Sequence, residues 1–190
     1  TAVVFYRVIF EQGQARALRG VLGQYLSPSI VAHVTRDPDS LKLGGDQREM
    51  TVMFSDVRSF TSLSEGMTPK ENFDFINELL SWICPVIREH EGFVDKYLGD
   101  GIMALFPGRA DDAVQAAIGM RQQLARFNAQ RQAQDRPPVQ IGIGLHTGLL
   151  MLGTIGESQR MEGTVISDAV NLASRVEGLT KRYGADLVIS

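Results

Sequence analysis

The chain predicts an α+β fold. Apolar runs of strand character alternate with amphipathic segments of helical period. Their order is strand, helix, hairpin, helix, strand, strand, helix, strand, which suits an antiparallel-type sheet covered on one face by helices. With 190 residues, 44% hydrophobic and 22% charged, the chain has the size and balance of one globular domain. The simplest arrangement is a ferredoxin-like βαββαβ core preceded by an N-terminal helix.

The elements follow in order. Residues 14–34 have a narrow apolar stripe of Leu18, Val21, Leu22, Tyr25 and Leu26, as a helix would. Residues 36–46, rich in Pro, Gly and Asp, read as a linker. This divides the chain into an N-terminal helix and linker, 1–45, and a main folded domain, 46–190. Met50–Val57 is an apolar β-rich run that reaches a carboxylate, Asp56. Thr68, Pro69 and Glu71 announce a helix by cap, first-turn proline and capping-box glutamate. Phe73, Ile76, Leu79, Leu80, Ile83 and Ile87 give it one apolar face, and Pro85 is expected to kink or end it. Phe93–Leu98 and Ile102–Phe106, joined through Gly99, Asp100 and Gly101, predict a hairpin. Ala113, Ala117, Leu124 and Phe127 mark a second helix, and Val139–Leu145 a strand. Gly148–Gly156 is expected to hold a turn and a short strand, followed by a helix over Ser167–Tyr183 and a last strand over Asp186–Ile189.

Composition excludes some functions. A formal net charge of −3 argues against a nucleic-acid groove, which needs a basic face. A single cysteine, Cys84, rules out an intrachain disulfide and fits a reducing compartment. The opening run TAVVFYRVIF is interrupted by Arg7 and is too short to span a bilayer. It reads as a terminal helix packed on the domain or a partner, or as the cytoplasmic end of a membrane helix of a longer protein.

Two carboxylates stand out. Asp56 lies at a strand end and Asp100 in a hairpin turn. If those strands are neighbours, both project from one sheet edge, where paired hard oxygen ligands suit two divalent ions in phosphoryl transfer. Taken singly, Asp100 could merely serve its turn and Asp56 could cap the next one. The backbone amides of Val57–Thr61 could cradle a polyphosphate, although no glycine eases that turn.

Three separated segments resemble, in order, the motifs of class III adenylyl and guanylyl cyclases. Residues 54–61 (FSDVRSFT) resemble the first metal motif, 96–101 (KYLGDG) the second and 171–175 (NLASR) the third. Residues 144–148 (GLHTG) are similar to the family's central strand. The resemblance covers about residues 46–190. It implies that Asp56, Asp100 and the Val57 carbonyl hold two Mg²⁺ or Mn²⁺ ions, and that Ser59, Phe60 and Thr61 meet the phosphates. Lys96, Thr164 and Val165 would bind the purine, Asn171 would position the ribose, and Arg175 would stabilise charge on the α-phosphate. A Lys donor suits the N1 acceptor of adenine, whereas the Thr164 hydroxyl can donate or accept. The fork of donors on Arg175 suits phosphate oxygens.

The implied activity is an adenylyl cyclase making 3′,5′-cyclic AMP and pyrophosphate from ATP, for signal transduction. The family's two residue sets serve opposite protomers, so one chain carrying both implies a homodimer with shared sites. An upstream sensor or membrane domain is implied as well, with the catalytic domain on the cytoplasmic side of a membrane-anchored bacterial protein. Two features depart from the pattern. The chain stops at Ser190, where the family continues to a phosphate-binding lysine, and so reads as truncated; Gly142 replaces an arginine found in some members. The alternatives are a guanylyl cyclase and a catalytically silent nucleotide-binding or dimerisation module.

Overall fold

A computed structural model describes residues 44–157 and 160–190, and the side chains of 46–153 and 165–190. The expected helix over 14–34 and most of the linker lie outside the described residues. Among the described residues, Asp46–Leu152 and Val165–Ser190 form one compact unit. Among the described residues no helix is long and apolar enough to cross a membrane.

Six strands and four helices are described: β1 (Gly44–Val57), α1 (Phe60–Ser64), α2 (Pro69–Glu89), β2 (Phe93–Leu98), β3 (Gly101–Phe106), α3 (Ala110–Gln132), β4 (Ile141–Glu157), β5 (Arg160–Ile166), α4 (Asp168–Tyr183) and β6 (Leu187–Ile189). The strand order is β2-β3-β1-β4-β5, with β6 paired parallel to β4. The β4-β1-β3-β2 neighbourhood is the ferredoxin-like core, and β1 pairs β3, and β3 pairs β2, antiparallel.

Helices cover both faces of this sheet, where element order alone suggested one. Alternation along β3 shows it: Ile102, Ala104 and Phe106 pack with α2 and α3, while Met103 and Leu105 pack with Ala169 and Ala173 of α4. A strand buried on both faces reads as a continuous apolar run, as β3 does.

Thr68 caps α2 through the Glu71 N–H while the Glu71 carboxylate accepts from the Thr68 N–H at 2.8 Å, the expected capping box. Pro85 does not end α2, which continues to Glu89. Ile83, Cys84, Val86 and Ile87 are buried around it, so packing outweighs the one backbone bond that proline forfeits. Phe73 is 68% exposed and Phe75 takes the inward position, because the buried stripe runs through Phe75, Leu79, Ile83 and Val86.

Gly148 makes no turn. It lies inside β4, and a β-carbon there would come 2.9 Å from the Ala169 Cβ. The glycine admits the start of α4 to the sheet. The strand expected over 148–156 is the continuation of β4, and the next strand is β5.

Candidate active site

Strand register builds the site. Ser55 of β1 stands opposite Ile102 of β3, so Asp56, one residue on, reaches the turn that carries Asp100. Gly99 adopts φ 69° there, a left-handed value that glycine accepts without strain. A β-carbon on Gly101 would lie 3.1 Å from the Ser55 carbonyl oxygen and 3.4 Å from Asp56 Oδ1, so Gly101 allows the two segments to close up.

The two carboxylates therefore share one sheet edge. Burial, then the charge of Asp56 and a hydrogen bond with it, raise the Asp100 carboxyl to about 6. Asp100 Oδ2 is buried with no hydrogen-bond partner among the described residues. An unsatisfied buried acceptor beside a second carboxylate is an environment that a hard cation would relieve.

After Asp56 the chain turns sharply. Ser59 takes φ 54° and ψ 33°, the left-handed conformation the turn needs and no glycine supplies. The first backbone bond of α1 runs from the Leu63 N–H to the Ser59 carbonyl, so the amides of Phe60, Thr61 and Ser62 precede it. The Phe60 ring stacks on Phe75 with centroids 6.4 Å apart, which commits its side chain to the core. Only its backbone remains for a ligand.

Arg58 anchors α4. Its guanidinium donates to the Ala185 carbonyl at 2.6 Å and to the Thr180 carbonyl at 3.2 Å. The last turn of α4 is thereby tied to the segment that carries Asp56. From that turn Lys181 Nζ reaches Asp56 Oδ2 at 3.1 Å. One turn earlier, Glu177 accepts from the Thr180 hydroxyl at 3.3 Å, and burial followed by the charge of Asp56 raises its carboxyl above the usual range. Sequence reading missed Arg58, Glu177 and Lys181. The one available signal was Gly142 and Gly144 at alternate positions of β4, which admit Thr180 and Glu177.

The other candidates occupy different elements. Asn171 and Arg175 stand exposed one turn apart on α4. Lys96 lies on β2 opposite Met103, just past an irregularity between Val94 and Lys96, with Nζ 3.4 Å from the almost fully buried carboxylate of Asp95. The Val165 side chain is buried in the core beside α4, which leaves its backbone for any ligand. Thr164 belongs to β5, and its side chain lies outside the described residues.

Residues 45–184 match the model of the adenylate and guanylate cyclase catalytic domain. The chain belongs to this family. The cyclase domain is 49% identical over 148 residues to an adenylate cyclase of Anabaena cylindrica, covering 75% of this chain and 30% of that one. It thus spans less than a third of that relative's length. Among solved structures, the adenylyl cyclase CyaB of P. aeruginosa is 34% identical with a TM-score of 0.65, over 72% of this chain and 74% of that one. The guanylyl cyclase Cya2 is 36% identical with a TM-score of 0.65, over 72% and 73%. One neighbour of each kind at equal TM-score means that overall fold does not choose the purine.

Proposed function

We propose that the domain cyclises ATP to 3′,5′-cyclic AMP and pyrophosphate, with two divalent ions, in a homodimer whose two sites each draw on both protomers. The observation that carries this reading is the carboxylate pair, Asp56 and Asp100, gathered at one sheet edge by the β1–β3 register in a cyclase domain. The donor set fits Mg²⁺ or Mn²⁺: two carboxylates, a buried acceptor without a donor at Asp100 Oδ2, and the nearby Val57 carbonyl. Such ions, when bound, supply charge neutralisation for the attacking and leaving oxygens.

The chain's own residues do the positioning. The amides at Ser59, Phe60 and Thr61 receive phosphate oxygens, as backbone donors at a tight turn do. Lys96, steadied by Asp95, donates to adenine N1. Thr164 and Val165 complete the purine site, the latter through its backbone. Asn171 orients the ribose so that the 3′-hydroxyl faces the α-phosphorus in line with the departing pyrophosphate. Arg175, one turn along the same helix face, meets the charge that gathers on the α-phosphate. The exposed Tyr97, Leu98, Leu149, Met151, Ile166 and Leu172 supply apolar surface for a second copy, which would bring the Asp56 set of one protomer to the Arg175 set of the other. The N-terminal segment would couple the domain to an upstream sensor or membrane region, with the catalytic domain cytoplasmic.

Turnover of ATP and GTP, measured side by side with Mg²⁺ and with Mn²⁺, tests the reading. Metal-dependent cyclic AMP formation is expected, and Asp56→Ala or Asp100→Ala should abolish it. A GTP preference would favour the guanylyl cyclase alternative. No turnover of either nucleotide by the dimeric protein would favour the silent module.

A further inference from the structure

The carboxylate edge holds a cation of its own. Lys181 Nζ lies 3.1 Å from Asp56 Oδ2, and no other described ion pair reaches either candidate metal carboxylate. The pair is long-range in sequence, and its two ends are fastened together. Arg58, two residues after Asp56, clasps the carbonyls of Thr180 and Ala185 on either side of Lys181. Gly184, at φ 63°, closes the helix with its N–H on the Thr180 carbonyl. The backbone under Lys181 is therefore held beside Asp56, while the four-carbon side chain, 54% exposed, keeps room to swing.

The surroundings explain why a cation is needed. Asp56, Asp100 and Glu177 bring three carboxyl groups to one neighbourhood, and burial with mutual repulsion acts on them. The nearby Arg58 gives one guanidinium nitrogen, Nη2, to two main-chain carbonyls and makes no described ion pair with these carboxylates. Lys181, with its side chain 54% exposed, is the cation that forms an ion pair with Asp56 among the described residues. It occupies a carboxylate oxygen that a divalent ion would also use.

We infer that Lys181 is a tethered counter-ion that holds Asp56 in the metal-free domain and competes with the divalent ion for it. A divalent ion held by Asp56 would take the place of the ammonium, and the lysine, still anchored through α4, would stay at the rim of the site as a positioning residue. This inference rests on the proposed role of Asp56 as a metal ligand. It gives the domain a device that keeps the carboxylate ordered in the metal-free state and weakens its binding of the ion.

Calorimetric titration of the metal-free dimer with Mn²⁺ alone, without nucleotide, separates the two layers. Lys181→Gln should tighten Mn²⁺ binding by about two- to fivefold, the range a partly exposed ion pair supports. Lys181→Arg, which keeps a cation on the same tether, should retain the wild-type affinity. The gap between wild type and Lys181→Gln should narrow as salt is raised, since competition between charges is screened. Unchanged or weaker Mn²⁺ binding in Lys181→Gln, alongside wild-type binding that Asp56→Asn abolishes, would overturn the counter-ion role and leave the metal assignment standing. Wild-type binding that Asp56→Asn does not affect would instead overturn the metal assignment and the inference with it.

Discussion

Gly144 of β4 lies directly against the backbone of Glu177 in α4: a β-carbon on Gly144 would come 2.2 Å from the Glu177 amide nitrogen. Strand and helix meet there main chain to main chain. No rotamer change can relieve such a contact, so Gly144→Ala must push the helix outward. A loss of about 1–3 kcal/mol is expected, the usual scale for overpacking. Gly178, on the same helix, meets nothing within 4 Å of its would-be β-carbon. Gly178→Ala should stabilise the fold by about 0.5–1 kcal/mol through helix propensity. Urea unfolding of both variants checks the pair of signs. Equal effects would mean that α4 does not rest on β4 as described.

Metal-free stability should depend on Asp100. Burial, then the charge of Asp56, raise its folded carboxyl to about 6, whereas an unfolded aspartate titrates near ~3.9. The folded state thus holds this proton more tightly than the unfolded chain does. The stabilisation from protonating Asp100 is complete below about pH 4 and is lost as pH rises through about 6. Asp100→Asn carries no such proton. On acidification from pH 7 to pH 5 in a chelator, the wild type should therefore gain urea resistance relative to the variant. Parallel profiles would contradict an Asp100 carboxyl raised by burial and then by the charge of Asp56.

Much of this arrangement was legible in the chain because it is local. Thr68, Pro69 and Glu71 declare a helix start that involves only themselves, and the hairpin around Asp100 carries its own turn residues. Asp56 and Asp100 could be paired by assuming that their strands are neighbours, which β1 and β3 are. Residues whose meaning is set by distant partners were not legible. Gly148 looks like a turn former until Ala169 is seen to press on it. Pro85 looks like a helix stop until the buried residues around it are known. Lys181 is one more basic residue near a helix end, and 125 positions separate it from the Asp56 it meets. Phe73 and Phe75, two residues apart, lie on different sides of α2, and only packing decides that Phe75 turns inward.

Purine choice is expected to rest on Lys96. Adenine offers an acceptor at N1 and guanine a donor, so Lys96→Glu exchanges the required partner. The ratio of ATP to GTP turnover should fall by roughly tenfold or more, as befits a site built around one hydrogen bond. The new glutamate would lie beside the buried Asp95, so thermal unfolding should accompany the assay. An unchanged ratio in a folded variant would remove Lys96 from base selection.

The most direct measurement is complementation between two inactive variants. Asp56→Ala and Arg175→Ala should each be almost inactive, because they remove opposite halves of a composite site. When the two are mixed and allowed to exchange subunits, each heterodimer has one site with both lesions and one with neither. Random pairing makes half the dimers mixed, so activity should return to about a quarter of wild type. Mixed dimers that demonstrably form yet recover nothing would contradict shared sites and return Lys96, Asn171 and Arg175 to the protomer that carries them.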